Sequence, residues 1–66
     1  MTLTVNGESR ELTDDTTLIG LLNSFSLNPD ATAVQLNEDI LEREAFPTTT
    51  LNDGDTLELI RIVGGG

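Results

Sequence analysis

The chain has no means of cross-linking itself: its 66 residues include neither Cys nor His, so neither a disulfide nor a Cys/His zinc site can hold it together. A domain of this size buries only about 60% of the surface that its unfolded chain exposes. The fold must therefore rest on one simple apolar core, with room for a single domain and none for an enclosed cofactor cleft. Leu, Ile, Val and Phe are spread along the whole sequence rather than gathered in one block, which is the pattern of a globular domain and not of a disordered one. The same two absences remove thiol nucleophiles and imidazole bases, and with them most side-chain catalysis. No apolar run of about eighteen residues points to a membrane span, and no basic segment followed by an apolar stretch points to a signal peptide. The expected location is the cytoplasm.

Charge narrows the partners. Twelve Asp and Glu stand against three Arg (Arg10, Arg43, Arg61) and no Lys, a formal net charge of −9. Such a surface repels nucleic-acid phosphates and suits a basic protein partner, although acidity also serves solubility or a salty cytoplasm. The acidic pairs Asp14-Asp15, Glu38-Asp39, Glu42 with Glu44, and Asp53 with Asp55 invite a metal reading. Asp53-Gly54-Asp55 is too short for a calcium loop and lacks its later Glu. Turn and cap chemistry accounts better for these residues, and no metal site is expected.

Periodicity then gives the elements. Leu3 and Val5 alternate with Thr2 and Thr4, the mark of a half-buried strand over Met1 to Val5. Asn6-Gly7 tolerates the positive φ of a tight turn, so Glu8 to Thr13 is expected to return antiparallel, with Leu12 inward. Asp14-Asp15-Thr16-Thr17 can cap a helix starting near Thr17, behind which Leu18, Leu21, Leu22 and Phe25 form a stripe at i, i+3, i+4 and i+7. Gly20 weakens that helix, and Asn28-Pro29-Asp30 is expected to end it. Ala33 to Asn37 reads as a strand, Asn37-Glu38-Asp39 as a turn and Ile40-Leu41 as a short extended piece. Glu42 to Thr50 reads as an irregular crossing anchored by Phe46 and Pro47. Asn52-Asp53-Gly54-Asp55 is a turn that leads into a last strand, Thr56 to Val63. The order is strand, strand, helix, strand, short strand, strand: an α+β domain over residues 1–63.

Residues 64–66 stand apart. Gly64-Gly65-Gly66 is followed by no helix, so it cannot form a phosphate cradle, and it is expected to project as a mobile arm. Such an arm threads a narrow channel and puts an unhindered carboxylate at its tip, which adenylation would turn into an acyl donor for sulfur. An inert tail is the competing reading. In the last strand Leu57 and Leu59 share the inward parity, which leaves Ile60 and Ile62 on the outward one as a partner-binding patch beside the arm. Phe46, from the crossing segment, is the side chain that could cover them.

The chain resembles the ThiS family of thiamine-biosynthesis sulfur carriers. The resemblance rests on Val5-Asn6-Gly7, Thr17-Leu18 with Leu21-Leu22, Val34-Gln35-Leu36-Asn37 followed by Ile40 and Arg43, Asp53-Gly54-Asp55, and Val63-Gly64-Gly65-Gly66. Glu42 stands where members commonly have Pro. The resemblance implies a β-grasp, ubiquitin-like fold, with a mixed sheet of four to five strands on one helix. It implies that Gly66 is adenylated by a ThiF-like enzyme using ATP and becomes a thiocarboxylate with sulfur from a cysteine desulfurase. Gly64 and Gly65 would thread into the partner's active site, and a ThiG-like thiazole synthase would consume the sulfur. The chain would then be a co-substrate rather than an enzyme, and would bind no cofactor itself. A molybdopterin-synthase small subunit, another sulfur carrier and a ubiquitin-like protein modifier are the alternatives.

Overall fold

The computed structural model describes residues 1–63; Gly64, Gly65 and Gly66, on which the arm was expected, lie outside the described residues. The expected opening hairpin forms. β1 (Thr2–Val5) buries Leu3 and Val5, Asn6 and Gly7 turn at φ of 51° and 82°, and β2 (Glu8–Glu11) returns with Glu8 opposite Val5. Asn and Gly reach such angles at low steric cost, which is why the turn falls on them. β2 stops short of Thr13, and every residue of it is exposed. Leu12 lies just beyond it, half-buried against the core.

The helix α1 (Leu18–Ser24) starts behind Thr17, whose Oγ1 accepts a hydrogen bond from the Gly20 N–H at 3.0 Å. A Cβ at Gly20 would stand 3.1 Å from that oxygen, so the residue that weakens the helix also leaves its cap undisturbed. Leu18, Leu21 and Leu22 are fully buried, while Phe25, the fourth of the stripe, is half-buried. The helix ends before Asn28-Pro29-Asp30. Ser26 adopts a left-handed φ of 59°, its N–H donates to Asn23 at 3.0 Å, and Leu27 N–H donates to Leu22 at 2.9 Å, the two bonds of a Schellman stop. Asn28 instead caps a 3-10 turn, Pro29–Ala31, by accepting from Asp30 N–H. Serine bears a left-handed strain that glycine does not. Ser26→Gly is expected to stabilise the domain by about 0.5–1 kcal/mol, measured as a rise in thermal or urea midpoint.

β3 (Thr32–Leu36) and β4 (Asp39–Leu41) pair antiparallel about Asn37 and Glu38. The crossing is more regular than expected: Arg43–Thr48 is a 3-10 helix that buries Phe46 and leaves Pro47 exposed. Glu42, in place of a proline, holds a φ of −77°, within the range that a proline ring imposes. Arg43 donates through Nε to Asp30 at 2.7 Å and lies over the Phe46 ring at 5.3 Å.

β5 (Thr56–Arg61) is the middle strand of a five-stranded sheet ordered β2-β1-β5-β3-β4. It runs parallel to β1 and antiparallel to β3. The turn before it is tied to the sheet by Thr2, whose N–H donates to Asp53 Oδ1 at 2.6 Å and whose carbonyl accepts from Gly54 N–H at 2.8 Å. Leu57 and Leu59 join Leu3, Val5, Leu18, Leu21, Leu22, Val34, Phe46 and Leu51 in one core between the helix and one face of the sheet. The other face is open. No helix among the described residues is long and apolar enough to cross a membrane.

The Met1 ammonium donates to the Leu12 carbonyl at 2.6 Å and to Asp14 Oδ1 at 3.0 Å. The Asp14 hydrogen bond raises the pKa of the amine above its ordinary value of 8.0, against a smaller opposing effect of desolvation. Its stabilisation is therefore complete below that value and is lost as pH rises through the higher folded-state value. Melting temperature is expected to fall above pH 8.0, and Asp14→Asn to flatten that fall.

Candidate functional site

The site is built on the far end of β5, which delivers the chain to Val63. Two asparagines hold that strand. Asn6 leaves the β1 ladder at its positive φ, so its side-chain amide takes over where the backbone departs: Oδ1 accepts from Leu59 N–H at 2.7 Å and Nδ2 donates to the Leu59 carbonyl at 3.3 Å. Asn37, also left-handed at φ 57°, does the same at the strand's start. Its Oδ1 accepts from Thr56 N–H at 3.1 Å, and its own N–H donates to the Thr56 carbonyl at 2.6 Å. The sequence marked Asn6 as a turn former and Asn37 as the junction of a strand and a turn, and neither as a tie to the last strand. β5 regular structure ends at Arg61 rather than Val63, yet Ile62 N–H still donates to the Ala31 carbonyl at 2.8 Å. The backbone is therefore held to within four residues of Gly66.

Ile60 and Ile62 stand where the parity placed them, 58% and 54% exposed on the open side. Phe46 does not cover them, because it turns into the core under the helix. Ile60 is opposite Ala33 in the ladder, whose methyl group leaves the isoleucine standing above its surroundings. Ile40, 79% exposed, shares this face: it pairs with Gln35, which pairs in turn with Glu58. Sequence reasoning missed it because a two-residue extended piece carries no parity of its own. An open sheet face with Ile60 and Ile62 at the end of the last strand, and Ile40 two strands away and level with Glu58, offers a partner desolvation energy. The tail residues Gly64, Gly65 and Gly66 fall outside the described residues. No group of three or more His, Cys, Asp or Glu among the described residues is arranged to hold a metal.

A mixed sheet gripping one helix, with a central last strand that carries the C-terminal segment out beside an apolar face, defines a ubiquitin-like β-grasp domain. The ThiS family model matches residues 3–66, and the chain belongs to that family, the sulfur carriers of the ThiS type. The crystal structure of the thiamine biosynthesis protein ThiS from Geobacter metallireducens superposes with a TM-score of 0.83 at 38% identity, covering 100% of both chains. The sulfur carrier protein ThiS of Bacillus subtilis is 34% identical over 65 residues, which cover 97% of this chain and 98% of that one. A thiazole synthase from Paramagnetospirillum magneticum is 33% identical over 66 residues, 100% of this chain but 20% of that protein.

Proposed function

We propose that the chain carries sulfur for the thiazole ring of thiamine, as a thiocarboxylate on the terminal carboxyl of Gly66, and that it does so in the cytoplasm. The family match that runs to Gly66 carries this reading. The absence of Cys and His from the sequence supports it, since it leaves that carboxyl as the group open to activation. A ThiF-like enzyme would join the carboxylate to ATP, giving an acyl-adenylate and pyrophosphate. The terminal sulfur of a persulfide, supplied by a cysteine desulfurase, would attack the acyl carbon and displace AMP. A thiol then reduces the resulting acyl disulfide, leaving the thiocarboxylate and a disulfide. ATP belongs to the partner, and the chain itself is the co-substrate.

The thiazole synthase relative supports a ThiG-like consumer, because a segment similar to this entire chain occupies a fifth of that polypeptide. Gly64 and Gly65 would enter the partner's channel, whose width a side chain would exceed. Ile60 and Ile62 would anchor the domain at its mouth. Ile62→Glu is expected to raise the KM of the adenylating enzyme for this carrier about tenfold or more, with the melting temperature unchanged; a cooperative loss of folding would remove Ile62 from the surface.

The deciding measurement is intact mass after incubation with ATP, the adenylating enzyme and a persulfide donor. Exchange of one oxygen for sulfur supports the carrier. Conjugation to lysines of other proteins would make the chain a modifier, and transfer of its sulfur by a molybdopterin synthase rather than a thiazole synthase would move it to that pathway.

A further inference from the structure

On the helix side of the sheet, away from Ile60, a cleft of about 430 Å³ opens between β2, the end of α1 and the end of β5. Its size is within the range of roughly 300–1,000 Å³ typical of ligand pockets. Val5, Phe25, Leu27 and Leu59 give it an apolar floor, and Asn6, Glu8, Arg10 and Arg61 form its rim. Arg10 and Glu8 face this side because they stand opposite the buried Leu3 and Val5 in the ladder. Arg61 faces it by sharing parity with the buried Leu57 and Leu59. Two of the three cationic side chains of a chain with net charge −9 thus converge on one cleft. Arg10 lies over the Phe25 ring at 5.3 Å and donates to Glu8 Oε2 at 3.1 Å.

We infer that this cleft is a second docking site, for an extended acidic–apolar segment of a protein partner. The segment would lie in the cleft itself, place a large aliphatic side chain on Phe25, Leu27 and Leu59, and set carboxylates against Arg61 and Arg10. Charge complementarity argues for this occupant, since a basic segment would find its attraction elsewhere on the acidic surface but meet two guanidiniums here. Among the described residues Glu8 is the one carboxylate in the rim, and it competes with the incoming acid for Arg10, which gives substitutions of opposite sign. The site lies across the sheet from Ile60, and its occupancy is independent of sulfur loading.

The test is titration of the isotope-labelled chain with a capped peptide Thr-Glu-Thr-Ile-Thr-Glu-Thr, in which Glu, Ile and Glu share one side of a strand, followed by amide chemical shifts. Shifts are expected at Glu8, Arg10, Phe25, Leu27, Leu59 and Arg61. Arg61→Gln should weaken binding about fivefold and Glu8→Gln tighten it about two- to fivefold; both positions are exposed, and unchanged melting curves confirm that the variants fold. The inference is overturned if a peptide with Lys in place of Glu binds equally well. It is likewise overturned if the shifts fall on Ile40, Ile60 and Ile62, if neither variant alters the affinity, or if 4-methylpentanoate fills the cleft as tightly as the peptide. None of these results bears on the thiocarboxylate, which the mass measurement tests separately.

Discussion

Leu57→Ala is expected to leave the chain largely unfolded at room temperature. Leu57 is fully buried on the central strand, opposite Val5 of β1 on one side and Leu36 of β3 on the other. Truncating such a leucine costs about 2–5 kcal/mol, through lost transfer energy and the cavity left behind. A core of this size rarely supplies more than about 3–5 kcal/mol in total, and no disulfide or Cys/His metal site makes up the difference. The backbone on both sides of the cavity is fixed by ladder bonds and by the Asn6 and Asn37 amides, so the strand cannot shift inward to fill it. Three residues on, Ile60→Ala should cost less than about 1 kcal/mol, since that side chain projects from the open face. Urea unfolding of both variants checks the contrast. A Leu57→Ala protein that keeps its midpoint would mean that the core can collapse around the gap.

The sequence revealed most of the pieces and little of their arrangement. Leu18, Leu21 and Leu22 were legible as a buried stripe because a helix repeats its faces within a few residues, and Leu57 and Leu59 because a strand alternates. The first turn was legible because Asn6-Gly7 has few other uses between two extended runs. The parallel pairing of β1 with β5 was not, since the residues that pair come from opposite ends of the chain and no local signal reports it. The helix stop was misplaced because Ser26 does with a serine what a glycine usually advertises, while Asn28-Pro29-Asp30, a recognisable breaker, opens a turn of its own. Thr32 joins β3 one residue before the expected start. Its buried hydroxyl donates to the Asn28 carbonyl at 2.7 Å, a bond that depends on that turn.

For the candidate site, alternation placed Ile60 and Ile62 on the outward face, and the structure exposes both. It could not place Ile40 on the same face, nor Arg10 and Arg61 on one cleft, because both relations exist only once the sheet order is known. Asn6 shows the limit most clearly. One residue turns the hairpin with its backbone and holds β5 with its side chain, and only the first role follows from its neighbour Gly7. The second bears on the proposed function, because the strand that leads to Val63 is secured at Leu59 by that amide.

Deleting Gly65 and Gly66 is expected to abolish ATP-dependent sulfur loading while leaving the fold intact. The buried core reaches only to Leu59 and the last described ladder bond is that of Ile62 to Ala31, both within the residues that the deletion keeps, so the melting curve should superimpose on that of the full chain. The shortened chain still ends in a glycine carboxylate, which has ordinary reactivity toward an activated phosphate. Chemistry alone would therefore let it react. Reach would not: two residues of extended chain span about 7 Å at most, and a reacting carboxylate displaced by that distance lies well outside the roughly 3–3.5 Å separation that a productive attack needs. Competition separates the two contributions. If Ile60 and Ile62 supply the grip, the truncated chain should inhibit loading of the full-length chain with an inhibition constant near the KM of the latter, and Ile62→Glu in the truncated chain should relieve that inhibition. Loading of the truncated chain at an undiminished rate would show that position along the tail is immaterial, and the assignment of Gly66 as the acceptor would fall.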